Sequence, residues 1–449
     1  MTHPFLALTD DDREEMLKTI GVSSIGELFR DIPAAVRFDR ALDLEPALSE
    51  QELMAHLSEL AARNVDSTKE LSFLGGGIYD HYVPAVVDTV MQRGEFLTAY
   101  TPYQPEMSQG VLQAIFEYQT AICELTGMDV SNASGYDGTT VTADACYIAK
   151  HATGRTKIVI TEATNPQVRQ VVKTYAPGFG LEIVEVPHDG GTTDPDALRR
   201  AAEGAAAVIF QQPNVFGCLE PAPELAAAAN DAEALAIAHV DPLSLGVLEA
   251  PGRYGCAIAL GEGQAAGNFP AYGGPHYGFL ACRSELIRRM PGRIVGETVD
   301  AAGKRGYVLT LQTREQHIRR EKATSNITTN QTLLALGGLV YLTWLGPQGL
   351  RELGEICLSL SAYAKQQLQE RAGVELVFPE KATFKECAVR VGRNAREVVK
   401  AARERGVHPG YAIGRDYEGM DDVLLVAVTE KRTPEEIDRL AEVLAEVTA

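Results

Sequence analysis

ALAIAHVDPLSLG, residues 234–246, is a continuous apolar run that stops on an aspartate and a proline. Runs of the same kind recur at TKIVIT (156–161), LEIVEVP (181–187), AAVIFQQP (206–213) and CAIALG (256–261). Each is short and rich in β-branched residues, and has too few polar positions for a strand with one wet face. Helical stretches such as NPQVRQVVKTYAP (165–177), DPDALRRAAEG (194–204) and PAPELAAAANDA (221–232) separate several of them. Buried strands alternating with helices predict a parallel sheet covered on both faces by right-handed crossovers. The central part of the chain is therefore expected to be an α/β domain.

Outward from this core the pattern changes. Towards the N-terminus, DDDREEMLKTIGV (10–22) and SEQELMAHLSELAAR (49–63) read as helices, the second with Leu53, Leu57 and Leu60 on one face. A glycine-rich corner at Gly75, Gly76 and Gly77 precedes a Tyr/Pro-rich stretch and the helix VLQAIFEYQTAICELTG (111–127). Beyond about residue 330, TLLALGGLVYLTWLG and LRELGEICLSLSAYAKQQLQER read as two helices. The end reads strand, helix, strand, helix (KECAVRV, NAREVVKAARERG, DVLLVAV, TPEEIDRLAEVLAEV). The expected organisation is a helical N-terminal segment over 1–65, a large α/β domain over 66–328 and a small α+β domain over 329–449.

Composition narrows the function classes. A formal net charge of −20 over 449 residues argues against nucleic acid or an anionic membrane as partner, since both need a basic footprint. No apolar run approaches the ~20 residues of a membrane span. The acidic start lacks the order of a secretion or transit signal, so a cytoplasmic location is expected. The 7 cysteines are scattered without a CxxC pair, which predicts buried thiols and no metal site.

Three stretches carry chemistry. NASGYDGTTVTADACYIAK (132–150) leads small and hydroxyl residues, Ser134 and Thr139 among them, into a helix. A helix N-terminus has free N–H groups and a positive dipole end that suit a phosphate, although a capped tight turn explains the same residues. Asp241 closes a buried strand. PLP (pyridoxal phosphate) enzymes of this architecture pair such an aspartate with the pyridine nitrogen, while aspartate before proline also simply ends strands. GEGQAAGNFPAYGGPHYGFLACR (261–283) stands where those enzymes carry the lysine that bonds the cofactor aldehyde. That bond needs a primary amine, and no lysine lies between Lys173 and Lys304.

TPYQPEMSQG (101–110), NASGYDGTT (132–140), GEGQ followed by GGPHYG (273–278), and above all MPGRIVGETVD (290–300) with RGYVLTLQTREQHIRREKATSNITTNQ (305–331) resemble the N-terminal half of glycine dehydrogenase (decarboxylating), the P-protein family. The resemblance runs over nearly the whole chain. Gly135 departs from it, at a position that is usually bulkier. The resemblance implies an aminotransferase-like PLP fold (fold type I) and an enzyme (EC 1.4.4.2) active only with a second subunit, two of each. That partner would hold PLP covalently, with Gln264 of this chain standing in the lysine position. Glycine would lose CO₂, and its aminomethyl group would pass to the lipoyl arm of H-protein.

Within that frame Tyr100, Thr101, Tyr103, Gln104 and Glu106 form a Pro-braced loop suited to a shared site, with Tyr100, Thr101 and Gln104 as channel candidates. Tyr103, Glu106, Arg314 and His317 are the catalytic candidates. Arg314, His317, Arg319, Arg320 and Lys322 form a basic cluster, readable as an anion site or as a solvated face. Thr324, Ser325 and Asn326 are expected to cap the next helix, with contact to a cofactor phosphate as the other reading. Ser134, Thr139, Asp241, Gln264 and Asn326 complete the cofactor-side candidates. Two rivals remain: a self-sufficient PLP enzyme, which would need the missing lysine, and a scaffold that only stabilises its partner.

Overall fold

The computed structural model describes residues 5, 7–38, 40–323 and 325–449; Thr324, one of the expected helix caps, lies outside them. Contacts divide the chain into two units, Met1–Val65 and Asp66–Ala449. In the first unit the helices Asp10–Ile20 and Glu50–Ala62 each open on a capping box, Thr9 with Asp12 and Ser49 with Glu52, which satisfies N–H groups that a first turn leaves free. None of the described residues of this unit is buried. Leu53, Leu57 and Leu60 are 44%, 50% and 39% exposed, so their apolar stripe finds little cover within its own unit.

The second unit is built on the sheet that the apolar runs predict. Its strands are β1 (Val130–Ser131), β2 (Lys157–Thr161), β3 (Glu182–Val186), β4 (Ala207–Gln212), β5 (Leu235–Val240), β6 (Ile258–Glu262) and β7 (Gly278–Cys282). They lie in the order β1-β7-β6-β5-β4-β2-β3. The run from β3 to β6 is parallel, and β7 is antiparallel to both its neighbours. Alternate residues explain the continuous apolar text. Val208 and Phe210 pack on one face with the helices Gln109–Thr126 and Ala222–Asp231, while Ala207 and Ile209 pack on the other with Gly138–Thr153 and Pro166–Phe179. Each large side chain buried this way contributes about 1.5–3 kcal/mol.

Parallel strands bring their C-terminal ends to one edge, where open α/β sheets bind ligands. Asp241 follows β5 and Gln264 follows β6 at that edge. A hairpin, Ile294–Val299 with Arg305–Thr310, was not resolved by the sequence pattern. It rests on the helix Gln109–Thr126 through the Gln119 amide, which both donates to and accepts from Val295 (3.0 and 2.9 Å).

The helix Thr332–Ala372 is long and apolar enough, by composition, to cross a membrane. It breaks at Gly346 (φ 61°, ψ 179°) before Pro347, in keeping with the two helices expected there. The straight part before the break is about 21 Å at ~1.5 Å per residue, short of the ~30 Å of a bilayer core. Its N-terminus corrects the capping reading. The helix begins behind Gln331 with no side-chain cap, and Ser325 instead accepts from the Ile327 N–H (3.3 Å).

At the C-terminal end, Glu375–Leu376, Glu386–Arg390, Val423–Ala427 and Tyr411–Ala412 form an antiparallel sheet. Helices Ala395–Arg403 and Pro434–Thr448 cover it. The strand Leu71–Ser72 pairs with Val407–His408. From there the chain runs to the edge of the large sheet, where Tyr79 meets Gln264.

Candidate functional site

The edge of the large sheet holds a closed polar network. Gln264 is fully buried. Its amide accepts from the Tyr79 N–H (2.9 Å) and donates to the Tyr79 and Asn268 carbonyls (3.0 and 2.7 Å). The side chain expected to stand in for the lysine therefore acts as a peptide-like bridge to the segment 75–82. Asp241 pairs with Lys385, whose Nζ lies 2.6 Å from its carboxylate and 3.6 Å from the centroid of the Tyr79 ring. That ammonium also donates to His81 Nε2 (2.8 Å), and His81 Nδ1 lies 2.6 Å from Glu430. Burial and the neighbouring Lys385 hold His81 below its ordinary pKa, which fits a neutral ring that accepts from lysine and donates to Glu430. Tyr79 Oη donates to Glu386 (2.9 Å), and the Gly76 N–H donates to the same carboxylate (2.8 Å). Burial pushes Glu386 up to about 7.

The phosphate-type helix end is closed in the same way. Asp137 caps the helix Gly138–Thr153, accepting from the Thr140 N–H (2.7 Å) and from both threonine hydroxyls, Thr139 (2.7 Å) and Thr140 (2.8 Å). The Gly138 N–H donates to Glu262 (2.9 Å), and a Cβ at Gly138 would fall 2.6 Å from the Glu262 nitrogen. Ser134 accepts from Asn330 (2.9 Å). Burial pushes Glu262 up to about 8, and His239, behind it on β5, is held down at about 4 by burial.

These residues do not fit PLP. A phosphate would face Asp137 and Glu262 where it needs free N–H groups, the aldehyde would find an amide at residue 264, and Asp241 already has a cation. Ser134, Thr139 and Asp241 keep the positions expected of them, with protein partners. Asn326 is exposed and away from this network.

A second polar region is open. Tyr100 is 76% exposed and its hydroxyl meets Thr329 (3.0 Å). Tyr103, 47% exposed, accepts from Arg293 Nη2 (3.0 Å) and lies edge-on to His317 at 6.0 Å. Arg293 also donates to the Thr328 carbonyl. It thus ties the loop 100–106 to the segment 325–330. Thr101 is half-buried, and Gln104 and Glu106 are exposed on the same loop.

Arg314 corrects the sequence reading. It is buried, and its guanidinium donates to the carbonyls of Leu311 (3.0 Å), Gly292 (2.9 Å) and Met290, so it pins the main chain rather than meeting a ligand directly. Lys385, Tyr79, His81, Glu262 and Arg293 escaped the sequence reading. Arg293 and Glu262 stood inside quoted motifs and Lys385 opened the quoted strand KECAVRV, but none was singled out.

Residues 3–444 match the model of a family described as glycine cleavage system P-protein. A relative from Anoxybacillus flavithermus, named "Probable glycine dehydrogenase (decarboxylating) subunit 1", is 49% identical over 450 residues, covering 100% of both chains. A crystal structure described as glycine decarboxylase (P-protein) of the glycine cleavage system, in inhibitor-bound form, is 43% identical with a TM-score of 0.91, covering 99% of this chain and 100% of that one. Lactobacillus brevis glutamate decarboxylase, 12% identical with a TM-score of 0.67 over 92% of this chain and 96% of its own, shares the fold alone. That fold is the fold type I of PLP enzymes. With this match along nearly its whole length, the chain belongs to the glycine cleavage system P-protein family.

Proposed function

We propose that this chain is the cofactor-free subunit of a two-chain glycine dehydrogenase (decarboxylating) that works in the cytoplasm, active only with a second subunit and assembled as two of each. In this reading the second subunit holds PLP covalently. The pair decarboxylates glycine and passes the aminomethyl group to the lipoyl arm of H-protein. The observation that carries the proposal is the buried Asp241–Lys385 pair, linked to Gln264 through Tyr79, which puts this chain's own side chains at the strand ends where a cofactor would sit. PLP on the second subunit would supply the electron sink for the reaction.

What this chain adds is its open polar face. Because Arg293 donates to the Tyr103 oxygen, the phenolic O–H remains free to donate to a carboxylate or to a lipoyl-borne group. Tyr100 and Thr329 form a second hydroxyl pair on the same face. Loops of this kind, held from beneath, orient a small substrate and limit water around it.

The test is reconstitution. The purified chain should lack the ~400–430 nm absorbance of lysine-bound PLP, since residue 264 carries no amine and the Lys385 ammonium is held by Asp241, and glycine-dependent CO₂ release should appear only with the second subunit. A visible band on this chain alone would end the proposal. Unchanged turnover for the Tyr103→Phe complex would favour the scaffold reading.

A further inference from the structure

We propose that a cleft beside the C-terminal end of the helix Gly138–Thr153 binds a small, multiply charged oxyanion of the phosphate or diphosphate class. The cleft encloses about 440 Å³, within the range of small-molecule sites. His151 lines it from the helix, Arg288 and Arg289 from a short 3-10 turn, and Arg319 and Lys322 from the loop that follows the hairpin. Among the described residues no carboxylate lines it, in a chain where 61 acidic residues outnumber 41 basic ones.

The cations are placed and left uncompensated. No ion pair involving Arg288, Arg319 or Lys322 is seen among the described residues, and Arg289 is held only by the His151 carbonyl (3.1 Å). Arg314 also lines the cleft, held by main-chain carbonyls and with the Glu315 carboxylate as its neighbouring charge. Burial, and then the Lys150 and Arg289 charges, hold His151 below its ordinary value, as a positive local field requires.

The backbone is also unusual here. Leu311 (φ 53°) and Arg320 (φ 55°) adopt positive φ without being glycine. Such residues are strained and persist where the surroundings enforce them, often at ligand clamps. Like charges crowded into a concave wall repel until an anion joins them, and arginine forks match phosphate oxygens two at a time. The size of the cleft and its concave shape favour a small anion over a broad acidic surface.

The experiment is calorimetric titration of the assembled two-subunit complex with inorganic pyrophosphate. We expect saturable binding, one per copy of this chain, that weakens as salt is raised. The double variant Arg319→Ala/Lys322→Ala should lose about tenfold or more in affinity, as should Arg288→Gln on the opposite wall, which tests the cleft if the loop variant misfolds. Arg200→Ala, an exposed arginine elsewhere, should bind as the unaltered chain does. Absence of saturable binding would overturn the proposal, as would equal binding by all variants, which would mark an adventitious ion only. Indifference to pyrophosphate, together with a lysine- and arginine-dependent grip on an acidic protein, would replace the small-anion site by a docking surface.

Discussion

Two polar regions of this chain lie on the same α/β scaffold and behave in opposite ways. Around Asp241, Lys385, His81 and Gln264 every polar group described above meets another from the same chain, and all are buried or nearly so. On the face formed by residues 100–106 and 311–330, hydroxyls, rings and cations are exposed and lightly partnered. The first region has the position of an active site and the organisation of a core. The second has the organisation expected of a surface that meets other molecules. Buried polarity that is fully paired fixes one structure, whereas exposed and underused polarity retains its capacity for a ligand.

The contrast breaks most readily at Lys385. Lys385→Met would leave the Asp241 carboxylate buried without its cation, at a cost of about 3–5 kcal/mol. Adding Asp241→Asn should recover much of the loss. Chemical denaturation of the three variants checks this, and a Lys385→Met chain as stable as the original would mean that the network is not closed. The next largest effect is expected at Arg314. Arg314→Ala frees three main-chain carbonyls, worth about 1–3 kcal/mol, and Arg314→Lys should fail to restore it because an ammonium cannot span the fork. A stability loss rescued by lysine would return Arg314 to the role of a simple charge.

These two residues also mark how far the sequence could be read. The sheet was legible because a strand buried on both faces must be apolar throughout, and a run such as AAVIFQQP carries that requirement locally. The position of Asp241 was legible for the same reason. Its partner was not: Lys385 comes from another sheet far along the chain, and no local pattern announces a pair formed by tertiary folding. Arg314 shows the converse limit. Its place in a basic run suggested anion binding, but the carbonyls of Met290 and Gly292 that engage it are set by the path of the preceding loop. The polar residues after it were read as caps for a helix that begins only at Thr332, because cap residue types are equally at home in an extended loop. Lysine's absence between residues 173 and 304 was visible, and the resemblance put Gln264 in its position, but the bonds that Gln264 makes to Tyr79 and Asn268 were not.

A third prediction separates the closed region by pH. Folded, Glu262 holds its proton up to about 8, against an ordinary value of 4.5. Between those values the folded chain binds more protons than the unfolded one. Glu262's contribution is therefore fully present below about 4.5 and is lost as pH rises through about 8, with a slope of at most about 1.4 kcal/mol per pH unit. Glu386, pushed up to about 7, acts in the same direction. Glu262→Gln should flatten the fall measured by denaturation at successive pH values. An unchanged slope would mean that the carboxylate is charged against the helix end.

The smallest effect on stability, and the sharpest on function, belongs to the open face. Tyr103→Phe removes one hydroxyl that accepts from Arg293 and leaves the ring against His317. The stability change should be about 1 kcal/mol or less, since the ring is half-exposed and water can replace the lost partner. If the free phenolic proton meets the substrate only as charge develops, turnover of the assembled complex should fall while the apparent KM stays close to its original value. A rise in KM alone would assign the hydroxyl to ground-state binding, and no change in either would leave Tyr103 as packing for Arg293. The open region contrasts with the closed one only if a group that matters little to folding matters to the reaction, and at Tyr103 those two quantities can be measured on a single atom.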